Sequence, residues 1–113
     1  MIIEIDMGGA PDSEYSSEFA RGCAVRMATS YYKYGKVEDA TKVDKIESAL
    51  ARIVKYEQTG NTEFLLDASN FLMMEWLYPA HENAHFKATD SKESVGRTFY
   101  GEVDPSQRGN KEI

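Results

Sequence analysis

Between Asn61 and Pro79 lies a run of seventeen residues, Thr62 to Tyr78, whose apolar side chains recur on nearly every face of a helical wheel. Gly60 and Asn61 mark its start. Asn61 can accept from the first orphan N–H groups, and Glu63 suits the positive end of the helix dipole. Pro79 cannot continue a helix and also restrains Tyr78, so the run ends there. A helix apolar all round is expected at the centre of a fold, with other elements packed on it. Its polar exceptions, Glu63, Asp67 and Asn70, follow i, i+4, i+7 spacing and form one stripe. Carboxylates on such a helix need solvent, a cationic neighbour or a bound cation. The stripe therefore has two readings: a face turned to solvent or bonded to Arg or Lys of a neighbouring helix, or one wall of a cleft that holds a metal or polar ligand.

Two further helices are predicted before it. Tyr15, Phe19, Cys23, Met27 and Tyr31 repeat at four-residue steps. With Asp12 or Ser13 as cap and Gly35 as terminator, they predict a helix over about 13–34. Gly22, in its middle, marks a place where another helix comes close. Tyr31 to Tyr34 form an aromatic end, read as packing on neighbours or as a base-stacking platform. Val43, Ile46, Leu50, Ile53 and Val54 give the apolar face of a second helix near 41–58, stopped by Thr59-Gly60. The short link to the helix at 62–78 makes these two an antiparallel hairpin. Met1 to Met7 has β-branched character and is expected to pair with Thr98 to Val103 as a short ribbon from the two ends of the chain. The fold class is thus mainly α, a three-helix core in a single domain of 113 residues, with a loop-rich C-terminal segment over 81–113.

Charge narrows the functions. The net charge of −6 argues against direct nucleic-acid binding. Residues 1–20 hold five acids and no base, 21–60 eight bases and five acids, and 61–80 three acids and no base. The basic excess thus sits on the two helices that precede the acidic stripe. That fits either helix packing or a cleft with cations on one wall and carboxylates on the other. No run approaches a membrane span, no charged-then-apolar leader opens the chain, and a cytosolic setting is expected. Cys23 is alone and reads as core filler.

The segment from Ala80 to Arg97 has weak periodicity and few large apolar residues, so it lies on a surface or wraps a site. It offers His81, His85, Lys87, Thr89, Ser91 and Arg97 as polar contacts, beside Phe86 as a stacking ring. His81 and His85 find no further His or Cys to complete a zinc set. Arg26, Arg52 and Lys55, with Tyr56, are suitable partners for a phosphate-bearing ligand. Asp44 and Glu47 on the second helix, with Glu63, Asp67 and Asn70 on the third, supply oxygens for Mg²⁺.

This two-helix acidic pattern resembles the all-α nucleotide pyrophosphohydrolases of the MazG type over Lys42 to Tyr78. Leu66-Asp67-Ala68-Ser69-Asn70-Phe71 is similar to that family's second motif. The resemblance implies Mg²⁺-dependent hydrolysis of a nucleoside triphosphate to monophosphate and pyrophosphate. Asp44/Glu47 stands where the family has Glu-Glu-x-x-Glu, and one residue too many separates Glu63 from Asp67. The stretch Thr59 to Arg97 also resembles small proteins of phages and Gram-positive bacteria, a likeness with no activity attached. The incomplete acid set favours a small helical homo-oligomer that binds a nucleotide-type ligand without turning it over, as a phage anti-defence sponge does with a nucleotide messenger. The MazG-like hydrolase and a protein-binding inhibitor are the alternatives.

Overall fold

The structure, a computed structural model, describes residues 4–90, 92–93, 96–97 and 103–104. It divides into two compact units, Met1–Glu82 and Asn83–Ile113.

The first unit holds three helices, α1 (Ser17–Tyr34), α2 (Lys45–Thr59) and α3 (Glu63–Leu77). Both other helices pack on α3, so it is the central element, as its apolar composition predicts. Helix α1 starts four residues later than its periodicity implies. Asp12–Glu14 form a separate 3-10 turn, Tyr15 is extended, and Ser16 caps α1 by accepting from the Phe19 N–H at 3.0 Å. The helix ends at Gly35, whose φ of +87° disfavours any other residue and whose N–H donates to Tyr31 O. Helix α2 likewise begins later than expected, because Asp44 adopts an extended backbone and its carboxylate accepts from the Glu47 N–H at 3.0 Å. Gly60, left-handed at φ +72°, closes it, and Asn61 accepts from the Glu63 N–H to open α3. The hairpin of α2 and α3 is tied at its open end by Lys45, which donates to Tyr78 O at 2.7 Å and pairs with Glu75 at 3.6 Å.

Helix α1 approaches α3 closely at Gly22. A Cβ there would stand 2.9 Å from Leu66 Cδ1. Cys23 Sγ lies 3.9 Å from Leu66 O, and Asn70 Nδ2 donates to Cys23 O at 2.9 Å. Asn70 is buried at this contact, 7% exposed. The expectation that α3 is buried all round is corrected. Among the described residues the buried apolar side chains are Ala49 and Ala68, whereas Leu72 on α3 and Ile46, Leu50, Ile53 and Val54 on α2 are exposed.

In the second unit, β1 (Gly96–Arg97) pairs antiparallel with β2 (Val103–Asp104), Gly96 opposite Asp104. The ribbon expected between the two ends of the chain is corrected: residues 4–7 carry no strand, and the pairing present is local to the second unit. Closing a short loop costs less chain entropy than joining two termini. Residues 1–3 and 98–102, on which that expectation also fell, lie outside the described residues, as do Ser91 and the side chain of Arg97. Among the described residues no helix is long and apolar enough to cross a membrane.

Candidate ligand-binding site

A cavity of about 400 Å³ lies in the helical unit. From α1 it takes Arg26, Met27, Thr29, Ser30, Lys33 and Tyr34. Lys45 and Arg52 come from α2, and Asp67, Asn70, Phe71 and Met74 from α3, with Val37, Ala40 and Val43 from the connection between the first two helices. The spacing explains the convergence. Arg26, Ser30 and Lys33 stand at i, i+4, i+7; Lys45 and Arg52 at i, i+7; Asp67, Asn70, Phe71 and Met74 at i, i+3, i+4, i+7. Each helix thus turns one face to the same space.

The acidic stripe finds its partner in α1. Arg26 Nε donates to Asp67 Oδ1 at 3.0 Å and its Nη2 to Asp67 Oδ2 at 3.2 Å, a two-pronged ion pair, and Glu63 stands 3.5 Å from the same guanidinium. The hydrogen bond to Asp67 raises the pKa of Arg26. Partial burial works against that shift, while the fields of Asp67 and Glu63 reinforce it. Asn70 spends a donor on Cys23 O and keeps acceptor capacity at Oδ1.

Arg52 stands over the Phe71 ring at 5.1 Å, a cation–π contact that leaves its in-plane N–H groups available. Among the described residues neither Arg52 nor Lys33 makes an ion pair.

Of the ligand residues expected from the sequence, Arg26 and Arg52 line this cavity and Lys55 and Tyr56 do not. Lys55 is exposed and Tyr56 half-buried elsewhere on α2. His81 is exposed beyond α3, in a non-helical stretch, so it shares no helical face with His85. His85, Phe86, Lys87 and Thr89 belong to the second unit, where the His85 Nδ1–H donates to Asn83 O at 2.8 Å. None of these four is among the lining residues. Lys33, Lys45, Tyr34, Phe71 and Met74 were missed as site residues, although their helical spacing to Arg26, Arg52 and Asp67 was the signal that places them.

The five expected metal ligands are not brought into one set. Asp44 and Glu63 open α2 and α3 respectively. In an antiparallel hairpin of 15-residue helices these positions are roughly 22 Å apart along the axis. Asp44 is engaged as a cap, Asp67 with Arg26, and Asn70 with a backbone carbonyl. Among the described residues no three His, Cys, Asp or Glu side chains converge on a point where a metal ion would bind.

Compared with protein-family models, curated proteins and solved structures, the chain shows no significant match to any of them.

Proposed function

We propose that this protein is a small helical homo-oligomer whose helical unit binds a nucleotide-type anion in the cavity between α1 and the hairpin, and holds it without hydrolysis. One observation carries the reading: four of the five charged side chains lining the cavity are cationic, Arg26, Lys33, Lys45 and Arg52. The fifth, Asp67, is already bonded to Arg26, and Lys45 is paired with Glu75, so among the described residues Lys33 and Arg52 are the lining cations that face no carboxylate. Such a lining attracts a phosphate or phosphodiester, and Arg52 is the strongest candidate because its donors face no carboxylate. Tyr34, Phe71, Met74 and Val43 give the same space an apolar wall suited to a base. The volume falls in the range of about 300–1,000 Å³ usual for small-molecule sites.

Hydrolysis of a triphosphate needs carboxylates free to hold Mg²⁺ or to activate water. Among the lining residues Asp67 is the only carboxylate and it is paired, which favours capture over turnover. A sponge for a nucleotide messenger, acting in the cytoplasm, is the role this chemistry fits.

The test is a calorimetric screen of nucleoside triphosphates and cyclic nucleotide messengers, with and without Mg²⁺, with recovery and product analysis of the ligand. Tight binding with the ligand recovered intact is expected, and Arg52→Ala should weaken it about tenfold or more. Turnover that vanishes in Asp67→Ala selects the MazG-like hydrolase. Silence across the panel removes the nucleotide reading.

A further inference from the structure

We infer that Asn70 is the base-reading residue of the cavity, its Oδ1 accepting from an N–H donor on the base of a bound nucleotide. This rests on the nucleotide reading of the cavity and adds the feature by which the cavity selects among nucleotides. Asn70 stands in the middle of α3 and is 7% exposed, the one buried polar side chain among the described residues. The orientation of its amide is fixed. Cys23 O is a carbonyl and can only accept, so the amide nitrogen faces it, and Nδ2 donates at 2.9 Å. That bond accounts for the nitrogen and leaves the oxygen pointing elsewhere. No donor among the described residues reaches Oδ1, yet none of their buried side-chain N or O atoms is sealed off without a partner. Oδ1 is thus open, and the space that Asn70 lines is the cavity.

The other polar groups of the lining read a ligand less sharply. Thr29 Oγ1 donates to Val25 O, and both oxygens of Asp67 already meet Arg26. Ser30 and Tyr34 carry hydroxyls, which rotate and either give or accept a hydrogen bond. The four cations only donate, which suits the phosphate. Asn70 Oδ1 is an acceptor locked in place by the second bond of the same amide. A locked acceptor discriminates, because a ligand without the matching donor leaves it unpaired.

The neighbours of Asn70 favour a base there over a sugar. Met74 stands four residues on, on the same face of α3, and Phe71 lines the same space, so an apolar wall adjoins the acceptor. A flat heterocycle with an N–H on its edge suits that wall and the acceptor together, whereas a ribose would set hydroxyls against Phe71 and Met74. Arg52, 5.1 Å over the Phe71 ring, supplies a cation for the phosphate of the same ligand. Adenine, guanine and cytosine all carry such an N–H as an amine.

The test is calorimetric titration of the full chain with adenosine, guanosine and purine riboside, each as the monophosphate and as the cyclic monophosphate. Purine riboside keeps the ring, sugar and phosphate and lacks every N–H on the base. Its nucleotides should bind about tenfold or more weaker than the tighter of the adenosine and guanosine series. In Asn70→Ala that preference should shrink to within about twofold. The preference is a ratio within one protein, so a general loss of stability does not mimic its collapse. If circular dichroism shows that Asn70→Ala does not fold, Asn70→Ser replaces it, with a hydroxyl to donate to Cys23 O and no amide oxygen. Deoxyadenosine monophosphate, the sugar control, should bind within about twofold of adenosine monophosphate. Equal binding of purine riboside overturns the inference, as does a preference that survives the Asn70 variant. A tenfold loss with the deoxy sugar alone gives the acceptor to the ribose and overturns it too. In these three outcomes a nucleotide still binds and the proposed function stands, whereas silence across the series overturns both.

Discussion

The two sides of helix α3 are built from opposite chemistry. Toward α1 it offers Asp67 and Asn70, and each meets a directional partner, the Arg26 guanidinium and Cys23 O. Gly22 lets the backbones approach until Leu66 fills the gap. Away from α1, the hairpin shows Leu72, Ile46, Leu50, Ile53 and Val54, with apolar area and no polar specification. The first side fixes where α1 sits, because hydrogen bonds and a close steric fit tolerate one geometry. The second side supplies the hydrophobic term, which is non-directional and acts only when something covers it. Directional contacts and apolar area are thus placed on different faces of the hairpin.

The comparison breaks most visibly through concentration. If folding draws on a second copy, the apparent unfolding free energy should rise by about 2.7 kcal/mol over a hundredfold increase in protein concentration. Denaturant melts at several concentrations measure this, and a midpoint that does not move contradicts it. Next in size is Gly22→Val, which forces branched atoms into the space Leu66 holds. It should cost about 2 kcal/mol, with Gly22→Ala much milder, since Leu66 moves at its flexible tip and alanine favours the helix. Equal costs for the two variants would mean that the fit to α3 does not govern this position.

Asn70→Ala removes the buried amide that bonds Cys23 O and should cost about 1.5 kcal/mol in a chemical melt. A smaller effect is expected from the ion pair. In a double-mutant cycle, Arg26→Ala with Asp67→Ala should give a coupling of about 1 kcal/mol or less, weakened by salt. Arg26 is 39% exposed and its field is screened. A coupling that ignores salt would point to packing, not charge.

Much of this was legible from residue types alone. The order of the helices, the stops at Gly35 and Gly60, the antiparallel hairpin and the close approach at Gly22 all follow from local rules, because terminators and caps act within a few residues. The start of α1 was misplaced because Asp12 and Ser13 compete with Ser16 for its cap, and that of α2 because residues 41–42 form a turn and Asp44 caps the helix. Only the backbone at Tyr15 and Asp44 decides where each helix begins. Arg26 and Arg52 were recognisable as ligand residues, whereas Lys33, Lys45 and Tyr34 emerge as lining residues only once α1 is set against the hairpin.

By itself the sequence determined that α3 is central and that its acidic stripe needs solvent or a cation, since periodicity and desolvation are properties of the residues themselves. The tertiary structure decided which cation. A stripe of Glu63, Asp67 and Asn70 suits Mg²⁺ or a guanidinium equally well in one dimension. The packing of α1 on α3 puts Arg26 within 3.0 Å of Asp67, and the antiparallel hairpin carries Asp44 to the far end. The same packing leaves the other side of α3 uncovered. Hydrophobic pattern records that a face is apolar, but which element covers it depends on the direction in which each neighbouring helix arrives.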